Sequence, residues 1–413
     1  MITVEEATEQ VLSRIEPLPA ERVGLVDALG RVLAEPVVSD IDVAPFDNSA
    51  MDGYAVRAAD VAGAGDDTPV TLEVLEHIPA GAWPGRTVGP GQASRIMTGA
   101  PMPLGADAVV MVERIRPGQA AGGAGGTVLV CAPVTARENV RARAEEVREG
   151  ETVLLPGETV GAAAIGLAAS VGHAELVVRR RPRVAIVSTG DELVDVTEKP
   201  GPGKIRNSNS YTLAALVRLA GGEPHILGVA RDTMDDTRAL LSRASEFDLM
   251  VTTGGVSMGD FDVVKVVLEE IGELDFWKVA MRPGAPQTFG TIDGTPFFGL
   301  PGNPTSTMVG FEMFVRPVIR KMAGFTSLVR PRVLATLSHD VKKKPDRRYF
   351  LRSRITRRPE GGYSVAIAGN QSSALLTAMH RGNCLMSLPE GESFFAAGTE
   401  VMCIRLDMEE GTA

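Results

Sequence analysis

Ten residues in the middle of the chain combine a glycine turn, a hydroxyl and two carboxylates. The segment 253–262 (TGGVSMGDFD) follows the apolar run 249–252 and precedes an apolar helical pattern that begins at Val263. A strand, a glycine turn and a helix start bring backbone N–H groups together, and the helix dipole favours an anion there. Asp260 and Asp262 would repel a phosphate at ~4 Å by a few kcal/mol. A divalent cation removes this conflict, so the segment predicts a phosphate-and-magnesium site.

Each carboxylate also has a purely structural explanation. Asp260 is suited to cap the following helix, and Asp262 is an acid in the first turn, where the helix dipole favours negative charge. The pair, taken together with two glycines and Ser257, favours function over capping alone. We interpret Asp260 as the helix cap and Asp262 as the magnesium carboxylate.

The loops that follow neighbouring strands strengthen this prediction. The segments that resemble buried strands and alternate with predicted helices are 184–187, 225–229 and 249–252. This alternation is typical of a parallel α/β sheet, and ligands of such sheets bind beyond the carboxyl ends of the strands. Glu192 and Asp232 follow two of these strands. We therefore expect them to share one crevice with Asp262.

Segments rich in β pattern flank this unit. Alternating apolar residues with frequent glycine and proline predict a small β domain from Asn48 to about Val140, and alternation returns after Arg330. Residues 3–15 have helical spacing, and residues 22–38 predict a second helix that leads into a short strand. The predicted fold is multidomain α/β plus β, with a central three-layer α/β/α domain, a mostly parallel sheet and flanking β-rich domains.

Composition excludes several classes of protein. The chain has 413 residues, 44% of them hydrophobic, which is enough for about two to four packed domains. A net charge of −10 argues against a general nucleic-acid binder, and the basic runs 179–181 and 342–344 fit solvated strand or loop edges. The three cysteines are far apart and the five histidines are scattered. Carboxylates, and hence magnesium, are the expected metal chemistry.

The sequence predicts neither export nor a membrane span. The first residues are acidic and amphipathic, unlike a signal peptide, and the most apolar segment, 162–171, is too short to cross a bilayer. Free cysteines fit a reducing compartment. We therefore expect a cytoplasmic protein.

Five motifs, in order along most of the chain, resemble one family. They are PFDNSAMDGYAV at 45–56, RIMTGAPMP at 95–103, STGDEL at 188–193, the segment 253–262, and LPGNP at 300–304. Any one of these motifs is a weak signal, whereas the five together are highly specific. The chain resembles the molybdopterin molybdenumtransferases, of the bacterial MoeA type and the gephyrin E domain.

This resemblance implies an elongated homodimer that inserts molybdate into adenylylated molybdopterin. Magnesium-dependent hydrolysis of the phosphoanhydride would release AMP and molybdenum cofactor, and molybdopterin adenylyltransferase is the partner that would supply the substrate. The implied domains are a discontinuous linker and dimerisation domain at 1–45 and 141–178, a small β domain at 46–140, an α/β molybdopterin-binding domain at 179–326 and a C-terminal β-rich domain at 327–413.

The resemblance also implies roles for residues at matching positions. Glu192, Asp232 and Asp262 would be catalytic and would hold magnesium. Asp52 and Thr98 would be catalytic from the β domain of the other subunit, although each alone also fits a simple turn. The implied substrate-binding residues are Gly254, Gly255, Ser257, Gly259, Lys278, Arg282, Pro301, Gly302, Asn303, Ser306 and Arg352.

Some of these binding residues have simpler explanations. Lys278 fits a strand edge that faces solvent, and the segment 301–304 fits a helix start with Asn303 as N-cap and proline at the first helical position. Molybdate is a small dianion that needs hydrogen-bond donors. Ser257, Arg282, Ser306 and Arg352 are suited to supply them.

One departure from the family pattern affects the expected anion site. In many relatives the segment after the tryptophan ends in KPGKP, whereas this chain has RPGAP at 282–286. Arg282 keeps the first positive charge with a different geometry, but Ala285 removes the second. This loss motivates an alternative function: a gephyrin-like dimeric scaffold, with or without retained activity. Its partner peptide would bind between the α/β and C-terminal domains.

Overall fold

The chain is described by a computed structural model over residues 1–119, 124–255 and 263–408. The segment 256–262 lies outside the described residues, and it contains Ser257, Gly259, Asp260 and Asp262. What the sequence indicates for these four residues therefore stays a prediction.

A six-stranded mixed sheet lies at the centre of the described chain. Its strands and the helices between them are β1 (Arg183–Thr189), α1 (Asn209–Ala220), β2 (Glu223–Ala230), α2 (Met234–Leu241), β3 (Leu249–Thr253), α3 (Val263–Ile271), β4 (Gly272–Lys278), β5 (Pro286–Ile292) and β6 (Thr295–Leu300). The strand order is β2-β1-β3-β6-β5-β4. The first four strands pair in parallel, and β5 runs antiparallel to both of its neighbours, β6 and β4. The carboxyl ends of β1, β3 and β6 therefore meet at one edge of the sheet.

Apolar side chains are buried on both faces of this sheet. Successive residues of a strand point to opposite faces, so Ile186 and Ala185 of β1 belong to different hydrophobic cores. The first core includes apolar residues of α1, which ends at Gly221 in a left-handed conformation (φ 97°). The second core includes Val264 and Val267 of α3. Helical segments Pro304–Gly310 and Arg316–Met322, joined by a π-helical turn, complete the first core.

The opening helix, Val4–Ser13, packs into the first core of the α/β unit. Its first turn has a capping box, in which the Thr3 hydroxyl accepts the N–H of Glu6 and the Glu6 carboxylate accepts the N–H of Thr3. Val4, Ala7 and Val11 recur at helical spacing and are buried. The sequence pattern at residues 3–15 thus predicts this helix correctly.

A second group of elements near the N-terminus forms its own small core. Strand Ala20–Gly24 pairs with Glu175–Arg179, Val37–Val38 pairs with Thr152–Leu154, and the helix Ala162–Ser170 packs beside them. The helix predicted for residues 22–38 is wrong. Instead, Arg22, Val23 and Gly24 belong to a strand that pairs with residues 175–179. Turns follow up to Gly30, whose φ is 72°.

A third unit is a mixed β-sheet. In sheet order its strands are Ala108–Met111, Gly53–Val56, Gln92–Ile96, Val70–Ile78, Thr127–Val130 and Ile115–Pro117. The only parallel pair among these described strands joins Gln92–Ile96 to Val70–Ile78. The two-residue strand Asn48–Ser49 pairs with Val140–Arg141 at the border of this unit.

The C-terminal unit is a sheet that closes on itself. Its strands in sheet order are Arg348–Arg357, Tyr363–Ile367, Arg332–Leu337, Glu400–Arg405 and Cys384–Leu388, and the last pairs again with the first. The two-residue strand Met281–Arg282, from the loop between β4 and β5, pairs with Arg348 and Tyr349 of this sheet. Smaller elements are the strand pair Val341–Lys342 with Phe394–Phe395 and the helix Thr377–Arg381. None of the helices in the described ranges has the length and apolarity required to cross a membrane.

Candidate active site

A cleft of about 2100 Å³ lies between the α/β unit and the C-terminal sheet. The predicted site residues that line it are Glu192, Asp232, Gly254, Gly255, Arg282, Pro301, Gly302, Asn303, Ser306 and Arg352. Most of them follow the carboxyl ends of parallel strands, which is where topology predicts a ligand. Asp52, Thr98 and Lys278 do not line it. Lys278 is exposed at the end of β4, and its backbone carbonyl accepts the N–H of Ile2.

The turn after β3 requires glycine for steric reasons. Gly254 has φ 93°, and a Cβ at this position would lie 2.5 Å from the carbonyl oxygen of Thr189. Gly255 has φ 64°, and its Cβ would lie 2.3 Å from a methyl group of Val264. Both conformations are unfavourable for other residues, and both α-carbons are packed against neighbours. The backbone of the turn therefore forms part of the cleft floor without side chains above it.

Two acidic side chains of the cleft come from neighbouring loops. Asp232 is linked to Asp191 by a reciprocal pair of bonds, because each carboxylate accepts the other residue's backbone N–H at 3.3 Å. The carboxylate of Glu192 folds over Gly190, where a Cβ would be 2.3 Å from its oxygen. Within the described ranges no group of three or more acids, histidines or cysteines could hold a metal ion. Glu192 and Asp232 supply the oxygen donors that magnesium prefers, and magnesium commonly keeps waters and phosphates as its other ligands.

Asn209, the first residue of α1, connects three elements of the site. Its side-chain amide donates to the Thr253 hydroxyl at 2.9 Å and to the Gly302 carbonyl at 2.8 Å. These bonds join the start of α1 to the end of β3 and to the loop after β6. The sequence NSN at 207–209 has two asparagines, one more than a helix cap needs. This additional amide was the signal in the sequence for a role of Asn209 in the site.

Arg352 is a buried cation without a carboxylate partner among the described ion pairs. The residue is 2% exposed, yet it lines the cleft. One guanidinium nitrogen donates to the Ser372 carbonyl at 3.3 Å, while Nε has no hydrogen-bond partner. Burial lowers the pKa of Arg352 to about 10, because desolvation disfavours its charge. A buried charge of this kind is normally paired, so the unpartnered Nε of Arg352 is a donor that an anion in the cleft could accept from.

Arg282 reaches the cleft from the strand that joins the C-terminal sheet. Its Nη1 donates to the Tyr349 hydroxyl at 3.3 Å, and its Cζ lies 5.5 Å from the centre of the tyrosine ring. Ser306 is buried at the start of the helix after β6, and its backbone carbonyl lies against Gly284. In this helix Asn303 is the N-cap by position but makes no side-chain cap bond.

Asp52 and Thr98 form one hydrogen-bonded unit in the N-terminal β-sheet. Asp52 Oδ1 accepts the backbone N–H of Thr98 at 2.7 Å and the Thr98 hydroxyl at 2.8 Å. These bonds hold the pKa of Asp52 below its ordinary value, because both donors favour the charged carboxylate. The pairing of Gly53 with Ile96 brings the two residues together. This mutual contact goes beyond two independent turns.

Comparison with known proteins gives one consistent result. Residues 2–172 match the MoeA N-terminal region (domain I and II), residues 185–321 a probable molybdopterin binding domain, and residues 335–406 the MoeA C-terminal region (domain IV). A molybdopterin molybdenumtransferase of Staphylococcus aureus (strain COL) is 37% identical over 402 residues, which cover 97% of this chain and 94% of the relative. One from Nostoc sp. is 41% identical over 393 residues, covering 94% and 88%.

A solved structure of a MoeA protein of molybdopterin biosynthesis, from Pyrococcus horikosii, superposes with a TM-score of 0.81. Its sequence is 32% identical, and the alignment covers 99% of this chain and 100% of that chain. Sequence and structure agree over nearly the whole length. The chain therefore belongs to the family of molybdopterin molybdenumtransferases of the MoeA type.

Proposed function

We propose that this protein inserts molybdate into adenylylated molybdopterin, with hydrolysis of the phosphoanhydride and release of AMP and molybdenum cofactor. The observation that carries the proposal is the buried guanidinium of Arg352, which lines the cleft without a carboxylate partner in the described part of the chain. Molybdate is a tetrahedral dianion and supplies the missing countercharge. Arg282 and Ser306 line the same cleft and add donors to this anion site.

Glu192 and Asp232 would hold magnesium beside the diphosphate, with Asp262 as the third carboxylate. Two carboxylates suffice for a magnesium ion that also binds waters and substrate phosphates. When bound, the metal would neutralise charge that develops on the phosphate oxygens. Gly254, Gly255 and Gly302 leave the floor of the cleft free of side chains, so that the diphosphate can approach the backbone. We assign Ser257 and Gly259 to the same phosphate loop.

The remaining binding residues would shape the ends of the cleft. Pro301 and Asn303 belong to the loop that Asn209 ties down through the Gly302 carbonyl. Lys278 does not line the cleft of its own chain, so it would contact substrate only if the substrate extended beyond the lining of that cleft.

Asp52 and Thr98 would act from the second subunit of a homodimer. They form a preorganised unit with a charged carboxylate, but they do not line the cleft of their own chain. Contact with substrate therefore requires a partner subunit. An oriented carboxylate next to a hydroxyl is suited to position a water or molybdate oxygen.

We further propose the four domains expected from the sequence, with the α/β unit as a three-layer domain and an elongated dimer. The two hydrophobic cores on opposite sides of the central sheet support the layered arrangement. The protein would work in the cytoplasm, where molybdopterin adenylyltransferase supplies the adenylylated substrate.

The test is AMP release by the purified protein. Incubation with adenylylated molybdopterin, molybdate and magnesium should release AMP, and omission of either molybdate or magnesium should stop it. Intact substrate after incubation with all components would contradict the proposal. A scaffold role is tested separately, since it predicts a stoichiometric partner from outside cofactor biosynthesis in pull-downs. None of the observations above favours that role over catalysis.

A further inference from the structure

Two cations contact one buried aromatic ring on the wall of the cleft. Arg282 Cζ lies 5.5 Å and Lys343 Nζ lies 5.0 Å from the ring centre of Tyr349. Both distances are within the range of cation–π attraction. Tyr349 is 7% exposed, so packing fixes the ring that both cations contact. One ring therefore contacts both positive charges.

The ammonium group of Lys343 is tethered but not saturated. It donates to the backbone carbonyls of Lys344 at 3.1 Å and Arg347 at 3.2 Å. An ammonium has three donors, which leaves one for a ligand. Desolvation lowers the pKa of Lys343, and the side chain is half-buried rather than extended into solvent. The interpretation of residues 342–344 as a solvated edge fits Lys342 and Lys344, which are exposed, but not the half-buried Lys343. All three lysines line the cleft.

Nearby acids do not neutralise these two cations directly. Asp346, Glu390 and Glu392 influence Lys343 through space. In the described chain, however, Asp346 pairs with Arg347 and Glu390 with Arg348. The ion pairs of the described residues include neither Arg282 nor Lys343.

Lys343 and Ala285, which replaces a lysine of the family pattern, lie on the same wall of the cleft. The N–H of Val279 donates to the Ala285 carbonyl at 2.9 Å, and the N–H of Arg348 donates to the Ala280 carbonyl at 3.1 Å. These bonds attach the loop 279–286 to the start of strand Arg348–Arg357. Lys343 is tied to residue 347, immediately before this strand. Ala285 and Lys343 therefore both lie on this wall of the cleft.

We propose that Lys343 supplies the second oxyanion-binding cation that Ala285 removes, and that Tyr349 is the positioning residue which holds it beside Arg282. The ligand is an oxyanion, either molybdate or a phosphate of the adenylylated substrate. This inference rests on the proposed function, because it concerns the same cleft. In the family pattern the second cation is a lysine at the position of Ala285, whereas Lys343 belongs to the C-terminal unit.

The first experiment measures AMP release by the full-length protein as a function of molybdate and of adenylylated molybdopterin. Lys343→Met should raise half-saturation for one of the two by about tenfold, which corresponds to ~1.4 kcal/mol. A rise for molybdate identifies the oxyanion as molybdate, whereas a rise for the other substrate identifies its phosphate. Lys199→Met is the matched control, because Lys199 is exposed and outside the cleft lining. Half-saturation values within twofold of the parent for both substrates would overturn the inference.

The second experiment tests replacement directly. Ala285→Lys should restore the lost affinity in the Lys343→Met background and change the parent protein much less. Equal effects in both backgrounds would refute replacement. Tyr349→Phe keeps the ring and should retain most of the affinity, while Tyr349→Leu should behave like Lys343→Met in a protein that still melts cooperatively.

Binding measurements separate this inference from the proposed function. Calorimetric titration with molybdate, and separately with inorganic phosphate, needs no turnover. If the parent protein releases no AMP, the proposed function fails. A loss of oxyanion binding in Lys343→Met would still support the site, and unchanged binding of both probes would reject it.

Discussion

Replacement of Arg352 should change stability and anion binding in opposite directions. Burial lowers the pKa of Arg352 from the ordinary value of an arginine to about 10. Because the folded-state pKa lies below the unfolded one, the charged form destabilises the folded protein at pH 7. The cost is relieved only as the pH rises above the folded-state pKa. At about 1.4 kcal/mol per pH unit, this lowering of the pKa costs roughly 3 kcal/mol.

The variant Arg352→Met removes this cost together with one weak contact. The bond to the Ser372 carbonyl, at 3.3 Å, contributes about 1 kcal/mol. The free energy of unfolding without ligand should therefore increase by roughly 2 kcal/mol, the difference between these contributions. In the variant, a bound anion lacks its hydrogen bond to the charged guanidinium, which contributes about 1.5–3 kcal/mol. Molybdate should therefore bind about 10- to 100-fold more weakly.

Urea unfolding and calorimetric titration with molybdate measure the two effects on the same samples. At a molybdate concentration of about 100 times the parent's Kd, the parent should gain about 2.7 kcal/mol of stability, of which the variant should lose about 1.3–2.3 kcal/mol. Arg354→Met is the control, because Arg354 is an exposed arginine of the same strand. Destabilisation by Arg352→Met with unchanged molybdate affinity would show that Arg352 is a structural residue, and the reasoning would fail.

Three further predictions concern the rest of the site. Gly254→Ala should destabilise the protein by about 1–3 kcal/mol in urea unfolding and abolish AMP release, because its Cβ would lie 2.5 Å from the Thr189 carbonyl oxygen at φ 93°. A stable, active variant would contradict the packing argument. Asp232→Asn should raise the magnesium concentration for half-maximal AMP release at least about tenfold, since one carboxylate ligand is lost. An unchanged magnesium titration would show that Asp232 does not bind magnesium. If Asp52 acts across the dimer, Asp52→Asn and Asp232→Asn subunits refolded together in equal amounts should recover about a quarter of parent activity, because half the dimers contain one intact site. The assay uses a magnesium concentration at which the Asp232→Asn homodimer is inactive. No recovery in a mixture shown to contain heterodimers would exclude action in trans.

The strand order explains which parts of the cleft could be predicted from sequence. Parallel strands end at the same edge, so the acids after β1 and β2 were expected near the glycine turn after β3, and Glu192 and Asp232 do line one cleft with Gly254. Their positions follow from local pattern and general topology. Their roles as metal ligands stay predictions.

The residues that could not be predicted depend on contacts between distant segments. Lys343 belongs to a basic run whose pattern equals that of a solvated edge, and the pairing of residues 281–282 with 348–349 brings Arg282 to the Tyr349 ring that Lys343 also contacts. Asn209 has the local signature of a helix cap, while its partners lie 44 and 93 residues further along the chain. Gly24 was assigned to a helix because strand pairing with residue 175 has no local signal.

The two-residue strand Met281–Arg282 has a consequence for how the C-terminal unit is understood. It is part of the chain between β4 and β5, yet it pairs with the C-terminal sheet. The two units therefore share one continuous piece of backbone, and the C-terminal unit is not a detachable module. In evolution, loss or exchange of that unit would leave Arg282 without its tyrosine support and would remove Arg352 and Lys343 entirely. A change of ligand chemistry in this architecture can thus arise from the C-terminal unit alone, with the α/β unit unaltered.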